Sequence, residues 1–197
     1  MSTPPAEIRT DPDGATTAVW RREYPDSVKD VWAAITESER LGRWIGTWTG
    51  EPRVGGTVSF TLTGEVDAGG EVDEPTDVRI HACAPPRHLA VEFPAPENQS
   101  WLIDLTVEPH GDGAVLVFAQ RLVDGIRAED VDAGWRWYLD RLGASLAGTP
   151  LPDWSAELLT PSRRSSPAKL PACPHRLPTT RPSLLLECGA QLNPSSR

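Results

Sequence analysis

Histidine, cysteine and carboxylate side chains are the groups through which this chain could perform catalytic or metal chemistry. The histidines fall in predicted strands, a predicted turn and the C-terminal tail, and none forms an HxxxH or HExxH unit that would bind a metal. The cysteines are too scattered for a disulfide framework or a zinc site. Neither a Gly-Lys-Ser/Thr phosphate loop nor a GxGxxG pattern occurs, so we expect no nucleotide, no metal and no other cofactor. The histidines are His81, His88, His110 and His175, and the cysteines are Cys83, Cys173 and Cys188.

The acidic residues that cluster most closely have a structural explanation. Glu129, Asp130 and Asp132 stand at the start of a predicted helix, where negative charge complements the helix dipole. We therefore assign them no catalytic role.

The composition is typical of a soluble globular protein. The chain has 197 residues, of which 39% are apolar and 24% are charged, and it lacks the run of about 18 apolar residues that a membrane span requires. Residues 1–14 are polar and contain prolines. They lack the order of a secretion signal, and we expect them to be flexible. The absence of a signal and the few scattered thiols predict a cytoplasmic location.

The net charge of −9 is unevenly divided along the chain. Residues 161–197 hold six basic side chains, one acidic side chain and seven prolines, which together predict a disordered Pro/Arg-rich tail over 160–197. The abrupt change of composition also fits an altered reading frame at the end of the gene. The rest of the chain carries a net charge of −14. An acidic body repels phosphate backbones, so we expect no nucleic-acid binding by the folded part.

Hydrophobic periodicity predicts an α+β fold. A first strand over Thr16–Tyr24 is followed by a break at Pro25, where Asp26 or Ser27 can cap a helix. The spacing of Val28, Val31, Trp32 and Ile35 predicts that helix, and a second short helix is expected over Ser38–Trp44.

About five further strands are expected before the chain closes with a long helix. Alternation places Val58, Phe60 and Leu62 on one face of the first of them. The next four follow the same rule, over Asp77–Ala84, His88–Phe93, Gln99–Glu108 and Ala114–Val123, with Val78, Ile80 and Ala82 sharing a face in the first of these. The closing helix covers Glu129–Ala147, and its buried face combines Val131, Trp135, Tyr138, Leu142 and Ser145, widened by Leu139 and Leu146.

Three segments of the chain match a known pattern, namely Val31-Trp32-Ala33-Ala34-Ile35-Thr36 with Glu39-Arg40-Leu41 and Trp44, then Val54-Gly55-Gly56 with Phe60, and Gly134-Trp135 with Tyr138-Leu139-Asp140-Arg141-Leu142. In these segments and their order the chain resembles the START/Bet v 1-like (SRPBCC) superfamily, in its branch related to the C-terminal domain of the activator of Hsp90 ATPase homologues. The resemblance covers residues 15–155 and implies a helix-grip fold, in which a curved antiparallel sheet wraps a long C-terminal helix, with two short helices after the first strand.

The resemblance implies a ligand cavity between the concave face of the sheet and the long helix. Apolar walls with a few polar groups are usual for small-molecule pockets, and Gln120 and Tyr138 are the evident polar groups. The predicted ligand-binding residues are Trp44, Trp48, Phe60, Leu62, Trp101, Ile103, Leu105, Phe118, Gln120, Trp135, Tyr138 and Leu142.

Three functions remain open at this point. The first is binding of a small apolar or amphipathic ligand. The second is a co-chaperone-like interaction module, whose partner would be a chaperone. The third is an enzyme of the cyclase or hydrolase type, which would need an acid and a base in the pocket. The predicted inward residues include no histidine and no carboxylate, so no catalytic residue is assigned. The sequence leaves the oligomeric state undecided.

Overall fold

The computed structural model describes residues 3–63, 74–95 and 99–153, and these form eight strands and three helices. The strands join in one antiparallel sheet in the order β1-β2-β8-β7-β6-β5-β4-β3. The sheet is curved and α3 packs against it, which confirms the predicted helix-grip fold. The strands are β1 (Glu7–Thr10), β2 (Thr16–Tyr24), β3 (Gly46–Thr49), β4 (Thr57–Leu62), β5 (Thr76–Ala84), β6 (His88–Pro94), β7 (Ser100–His110) and β8 (Gly113–Arg121), and the helices are α1 (Val28–Thr36), α2 (Ser38–Leu41) and α3 (Ala128–Ala147).

A row of large apolar side chains crosses the inner face of the sheet, which is the face turned towards α3. The strand register pairs Trp20 with Phe118. It also pairs Phe118 with Leu105, and Leu105 with Leu89. Cross-strand partners share a face of the sheet, so these four side chains form one continuous row. The Trp135 ring of α3 covers it, with its centroid 4.3 Å from that of Phe118.

The first two helices begin much as the sequence predicts. The Ser27 hydroxyl caps α1 by accepting a hydrogen bond from the Asp30 backbone N–H at 3.2 Å. The second helix ends at Leu41, earlier than the predicted Trp44, because the chain turns there to enter β3. This four-residue strand was not predicted. It requires glycine at position 46, where a Cβ atom would collide with the Thr61 carbonyl oxygen.

The N-terminal segment forms a strand on the body, within the range 1–14 for which a flexible segment is expected from the sequence. Strand β1 pairs with β2, from Glu7 opposite Val19 to Thr10 opposite Thr16. A turn closes this hairpin, with the Asp11 N–H donating to the Ala15 carbonyl and Gly14 at a φ of 85°. The Asp-Gly pair in that turn is a hairpin signal that the sequence interpretation did not use.

An irregularity in β5 reverses the predicted alternation. Ile80 pairs with Val91, but the register shifts before the next pair, which joins Ala82 to Ala90. Cys83 then pairs with Leu89. A β-bulge inserts an extra residue and so exchanges the two faces beyond it. Ala82 therefore does not share a face with Val78 and Ile80 as predicted, and Cys83 takes the inward position.

The long helix is buried on more of its circumference than an amphipathic pattern implies. The predicted residues Val131, Trp135, Tyr138, Leu139 and Leu142 are buried, whereas Ser145 and Leu146 are half-buried. Burial also includes residues that were not predicted, namely Gly134, Trp137, Asp140 and Arg141. The predicted tail over 160–197 and most of the turn before β5 lie outside the described residues.

Candidate ligand-binding cavity

A cavity of about 160 Å³ lies between the inner face of the sheet and the α1–β3 segment of the chain. Strands β4 to β8 form one side of it. The end of α1, helix α2 and the start of β3 form the other side, and Trp135 of α3 closes part of the interior. The segment from Ile35 to Trp48 therefore covers this part of the inner sheet face and forms the second side of the cavity.

Seven of the twelve predicted ligand-binding residues line this cavity. The two strands β7 and β8 position three of them by simple alternation, and α3 positions Trp135. The remaining three come from the α2–β3 turn and from β3 and β4. The seven are Trp44, Trp48, Phe60, Ile103, Leu105, Phe118 and Trp135.

The other five predicted residues lie away from the cavity wall. Tyr138 and Leu142 are fully buried one and two helical turns beyond Trp135. Tyr138 packs there against the Trp137 ring, with 4.7 Å between centroids, so it fills the core and does not act as a polar group of the wall. Leu62 stands at the end of β4 opposite Gly46. Trp101 and Gln120 are on the inner face, next to wall residues but behind them.

Twelve wall residues were not among the predicted ones. Most of them could have been predicted from the sequence. Apolar residues alternate in β6 as regularly as in β7, and the apolar face of α1 must pack towards the sheet. Cys83 could not have been predicted, since its inward position depends on the bulge. These residues are Ile35, Thr36, Leu41, Ile45, Pro52, Val58, Val78, Ile80, Cys83, Leu89, Val91 and Phe93.

The two tryptophans of the α2–β3 segment use their polar atoms within the protein. Trp44 donates its indole N–H to the Ala34 carbonyl at 2.9 Å, and Trp48 donates to the Thr36 carbonyl at the same distance. Ser38 fixes the Trp48 backbone, since its hydroxyl both donates to the Trp48 carbonyl at 2.7 Å and accepts from the Trp48 N–H at 2.8 Å. The rings therefore offer a cavity occupant only apolar surface.

Helix α3 also holds this segment in place from the opposite side. Arg141 is buried, and its Nε donates to the Trp44 carbonyl at 2.8 Å. Its guanidinium carbon lies 4.6 Å from the centroid of the Trp137 ring, a distance at which cation–π attraction operates. The segment that encloses the cavity is thus anchored to the helix that closes it.

Polar groups are scarce on the wall and around it. Thr36 donates its hydroxyl to the Trp32 carbonyl at 2.7 Å, and Cys83 has an exposed thiol. Among the wall residues that the structure describes, none is a histidine, a carboxylate or another charged side chain. The wall therefore presents no acid–base pair from the described part of the chain.

Two buried donors stand immediately behind the wall. Trp135 donates its indole N–H to Gln120 Oε1 at 2.5 Å. The Nε2 atom of Gln120 and the Nε1 atom of Trp101 are both buried without a hydrogen-bond partner in the described residues. A buried donor left in this state costs about 1–3 kcal/mol, and in native proteins it usually has a specific explanation.

The described histidines lie away from the cavity and pair with carboxylates. The distances are 2.5 Å from His81 to Glu92 and 2.7 Å from His88 to Asp104. His110 lies 3.1 Å from Glu23. His81 is exposed on the outer face, and the strand start expected at His88 is confirmed. A hydrogen bond with Ser100 and then the one with His81 hold the pKa of Glu92 below its usual value.

Two further properties concern the described residues as a whole. They contain no group of three or more His, Cys, Asp or Glu side chains placed to hold a metal ion. No helix formed by them is both long and apolar enough to cross a membrane.

The sequence matches one protein family over most of its described part. The model of the family "Activator of Hsp90 ATPase homolog 1-like protein" matches residues 26–147. No curated protein matches the chain. The matched span includes both the segment that encloses the cavity and the whole of α3.

Solved structures share the fold. CalU16 from Micromonospora echinospora, a crystal structure, is 27% identical, with a TM-score of 0.62 over 80% of this chain and 91% of its own. The BPP1335 protein of Bordetella parapertussis is 21% identical, with a TM-score of 0.61 over the same shares. DynU16, from the dynemicin biosynthetic locus, is 19% identical, with a TM-score of 0.55 over 68% of this chain and 48% of its own. The last two likenesses concern the fold alone.

Proposed function

The chain belongs to the Activator of Hsp90 ATPase homolog 1-like family, a branch of the START/Bet v 1-like (SRPBCC) superfamily, and on this premise we propose that it binds a small hydrophobic ligand in the cavity between sheet and helix. The observation that carries the proposal is the cavity itself. It is lined by aliphatic and aromatic side chains, and the Trp44 and Trp48 rings in its wall turn their N–H groups into the protein.

The size of the cavity limits the ligand. An apolar cavity of about 150 Å³ stays dry and holds one molecule the size of benzene, and the present cavity has about 160 Å³. A ligand with one ring, or a branched chain of similar volume, therefore fits without a change in the wall. Transfer of its apolar surface out of water drives binding, at roughly 25 cal/mol per Å².

The wall chemistry supports binding over catalysis. A cyclase or hydrolase needs a proton donor and a proton acceptor within reach of its substrate, and the described wall residues provide neither a histidine nor a carboxylate. Under this proposal no residue is catalytic, and the ligand leaves the cavity unchanged. We also propose a cytoplasmic location, in line with the few, widely scattered cysteines.

Titration of the ¹⁵N-labelled full chain with α-methylstyrene tests the proposal. We expect saturable shifts of backbone and indole signals that concentrate at wall residues such as Trp48, Val91 and Phe118. Signals of the outer sheet face, for example that of Val117, serve as the internal control. Shifts that do not saturate, or that scatter over the outer face, would refute binding in the cavity.

A second candidate function follows from the family match. The family's description names activation of the Hsp90 ATPase, and residues 1–160 carry a strong net negative charge that could meet a basic chaperone surface. Under this alternative the chain increases the ATPase rate of an Hsp90-type chaperone. A steady-state ATPase assay with and without the full chain tests it, and an unchanged rate at saturating protein would exclude it.

A further inference from the structure

The side-chain amide of Gln120 has a fixed orientation. Gln120 is fully buried on the inner face of β8, and its Oε1 atom accepts the indole N–H of Trp135 at 2.5 Å. An indole nitrogen can only donate, so the atom that faces Trp135 must be the oxygen. Nε2 is therefore the other end of the amide, and its N–H groups find no acceptor among the described residues.

A second buried donor occupies the neighbouring position on the same face. The register pairs Gln120 with Ile103, so Trp101, two residues along β7, is a diagonal neighbour of Gln120 and points to the same side. Its Nε1 atom is likewise buried, with no partner in the part of the chain that the structure describes. Two buried N–H donors thus occupy diagonal positions on the inner face of the sheet.

These donors adjoin one end of the cavity. Trp101 pairs with Phe93 across β6 and β7, and Gln120 is flanked by Ile103 on β7 and hydrogen-bonded to Trp135 on α3. Phe93, Ile103 and Trp135 all line the cavity. Each donor is therefore a direct neighbour of residues that form the wall.

We propose that the ligand carries a neutral carbonyl oxygen, which accepts hydrogen bonds from Gln120 Nε2 and Trp101 Nε1 while the apolar remainder of the ligand fills the cavity. This inference rests on the proposed function and narrows the ligand to small ketones, esters and quinone-like compounds. A carbonyl oxygen has two acceptor positions and brings no donor of its own. A carboxylate is excluded as the head group, because the described wall offers no cation to offset the loss of its hydration.

Two probes of nearly identical shape test the inference on the full chain. Acetophenone and α-methylstyrene differ only in that a methylene group replaces the carbonyl oxygen. We expect W101F to weaken acetophenone binding about tenfold, the value of one well-placed hydrogen bond, and to change α-methylstyrene binding less than twofold. In the wild type, acetophenone should move the Trp101 indole proton downfield, and α-methylstyrene should not.

The matched control is W32F, the same type of substitution at a core tryptophan of α1 that does not line the cavity. It should leave unchanged the ratio of the affinity for acetophenone to the affinity for α-methylstyrene. Q120L should lower this ratio, as W101F does. If W101F and Q120L leave the ratio at its wild-type value while both probes still bind, the carbonyl inference is wrong and the proposed function stands. If neither probe binds the wild-type chain, the proposed function fails and the inference fails with it.

Discussion

Asp140 on α3 and Arg22 on β2 form an ion pair in the space between helix and sheet, where both side chains are about nine-tenths buried. The same carboxylate accepts hydrogen bonds from the backbone N–H and the hydroxyl of Thr3, at 2.8 and 2.7 Å. One side chain thus joins the long helix, the second strand and the N-terminal segment. Removing the charge of one member of a buried ion pair is strongly destabilising, because the charge of the other member is no longer compensated.

We therefore expect D140N to lower the free energy of unfolding by about 3–5 kcal/mol, because it removes the negative charge that faces the largely buried Arg22 guanidinium. Urea denaturation followed by tryptophan fluorescence measures the change. D112N, in the exposed turn between β7 and β8, is the matched control and should change stability by less than about 0.5 kcal/mol. Equal stability of D140N and the wild type would show that the pair is not a structural link.

Tyr24 makes the stability of the protein sensitive to alkaline pH. Burial raises the pKa of its phenol well above the ordinary value of 10.0, and its hydroxyl donates to the Leu139 carbonyl at 3.3 Å. Because the folded state holds this proton more tightly than the unfolded state, the contribution is complete below about pH 10 and is lost as the pH rises above it.

The expected result is that the free energy of unfolding falls between pH 9.5 and 11 in the wild type and falls less steeply in Y24F. Chemical denaturation at several pH values in this range measures both slopes. Y24F is less stable than the wild type at neutral pH because it lacks the hydroxyl, so the comparison depends on slopes and not on absolute values. Parallel slopes would contradict the assignment.

The inner faces of the central strands could be predicted because alternation there is uninterrupted. Ile103 and Leu105 on β7 and Phe118 on β8 lie where the pattern places them, on the wall of the cavity. The pattern failed in β5, where no glycine or proline marks the bulge that exchanges Ala82 with Cys83. The alternation of apolar and polar residues within one strand does not reveal a β-bulge, because the bulge is defined by the register with the neighbouring strand.

The burial of Asp140 could not be predicted for a different reason. Its hydrogen-bond partner Thr3 lies 137 positions away in the sequence, and periodicity describes only the residue's own helix. A charged residue on a helix is normally assigned to the solvent side. The missing information was the position of the N-terminal segment, which the sequence interpretation left flexible.

The β-bulge makes Cys83 a reporter of the cavity. Its thiol is exposed and also lines the wall, so a bound molecule should hinder access to it. We expect saturating α-methylstyrene to slow alkylation of Cys83 severalfold, as measured by peptide mass spectrometry with iodoacetamide. The double variant A82C/C83A moves the thiol to the outer face, and its alkylation should not respond to the probe. Equal responses of the two proteins would show that the effect is not local to the cavity.

The most direct test of the central claim is the dissociation constant of α-methylstyrene for V91F, compared with that for the wild type and for V117F. Val91 lines the cavity, whereas Val117 is half-buried on the outer face of β8, so the same added ring fills the cavity in one variant only. We expect V91F to weaken binding at least tenfold while keeping a cooperative thermal transition, and V117F to bind as the wild type does. Unchanged binding by V91F, or equal losses in both variants, would contradict a ligand site between sheet and helix.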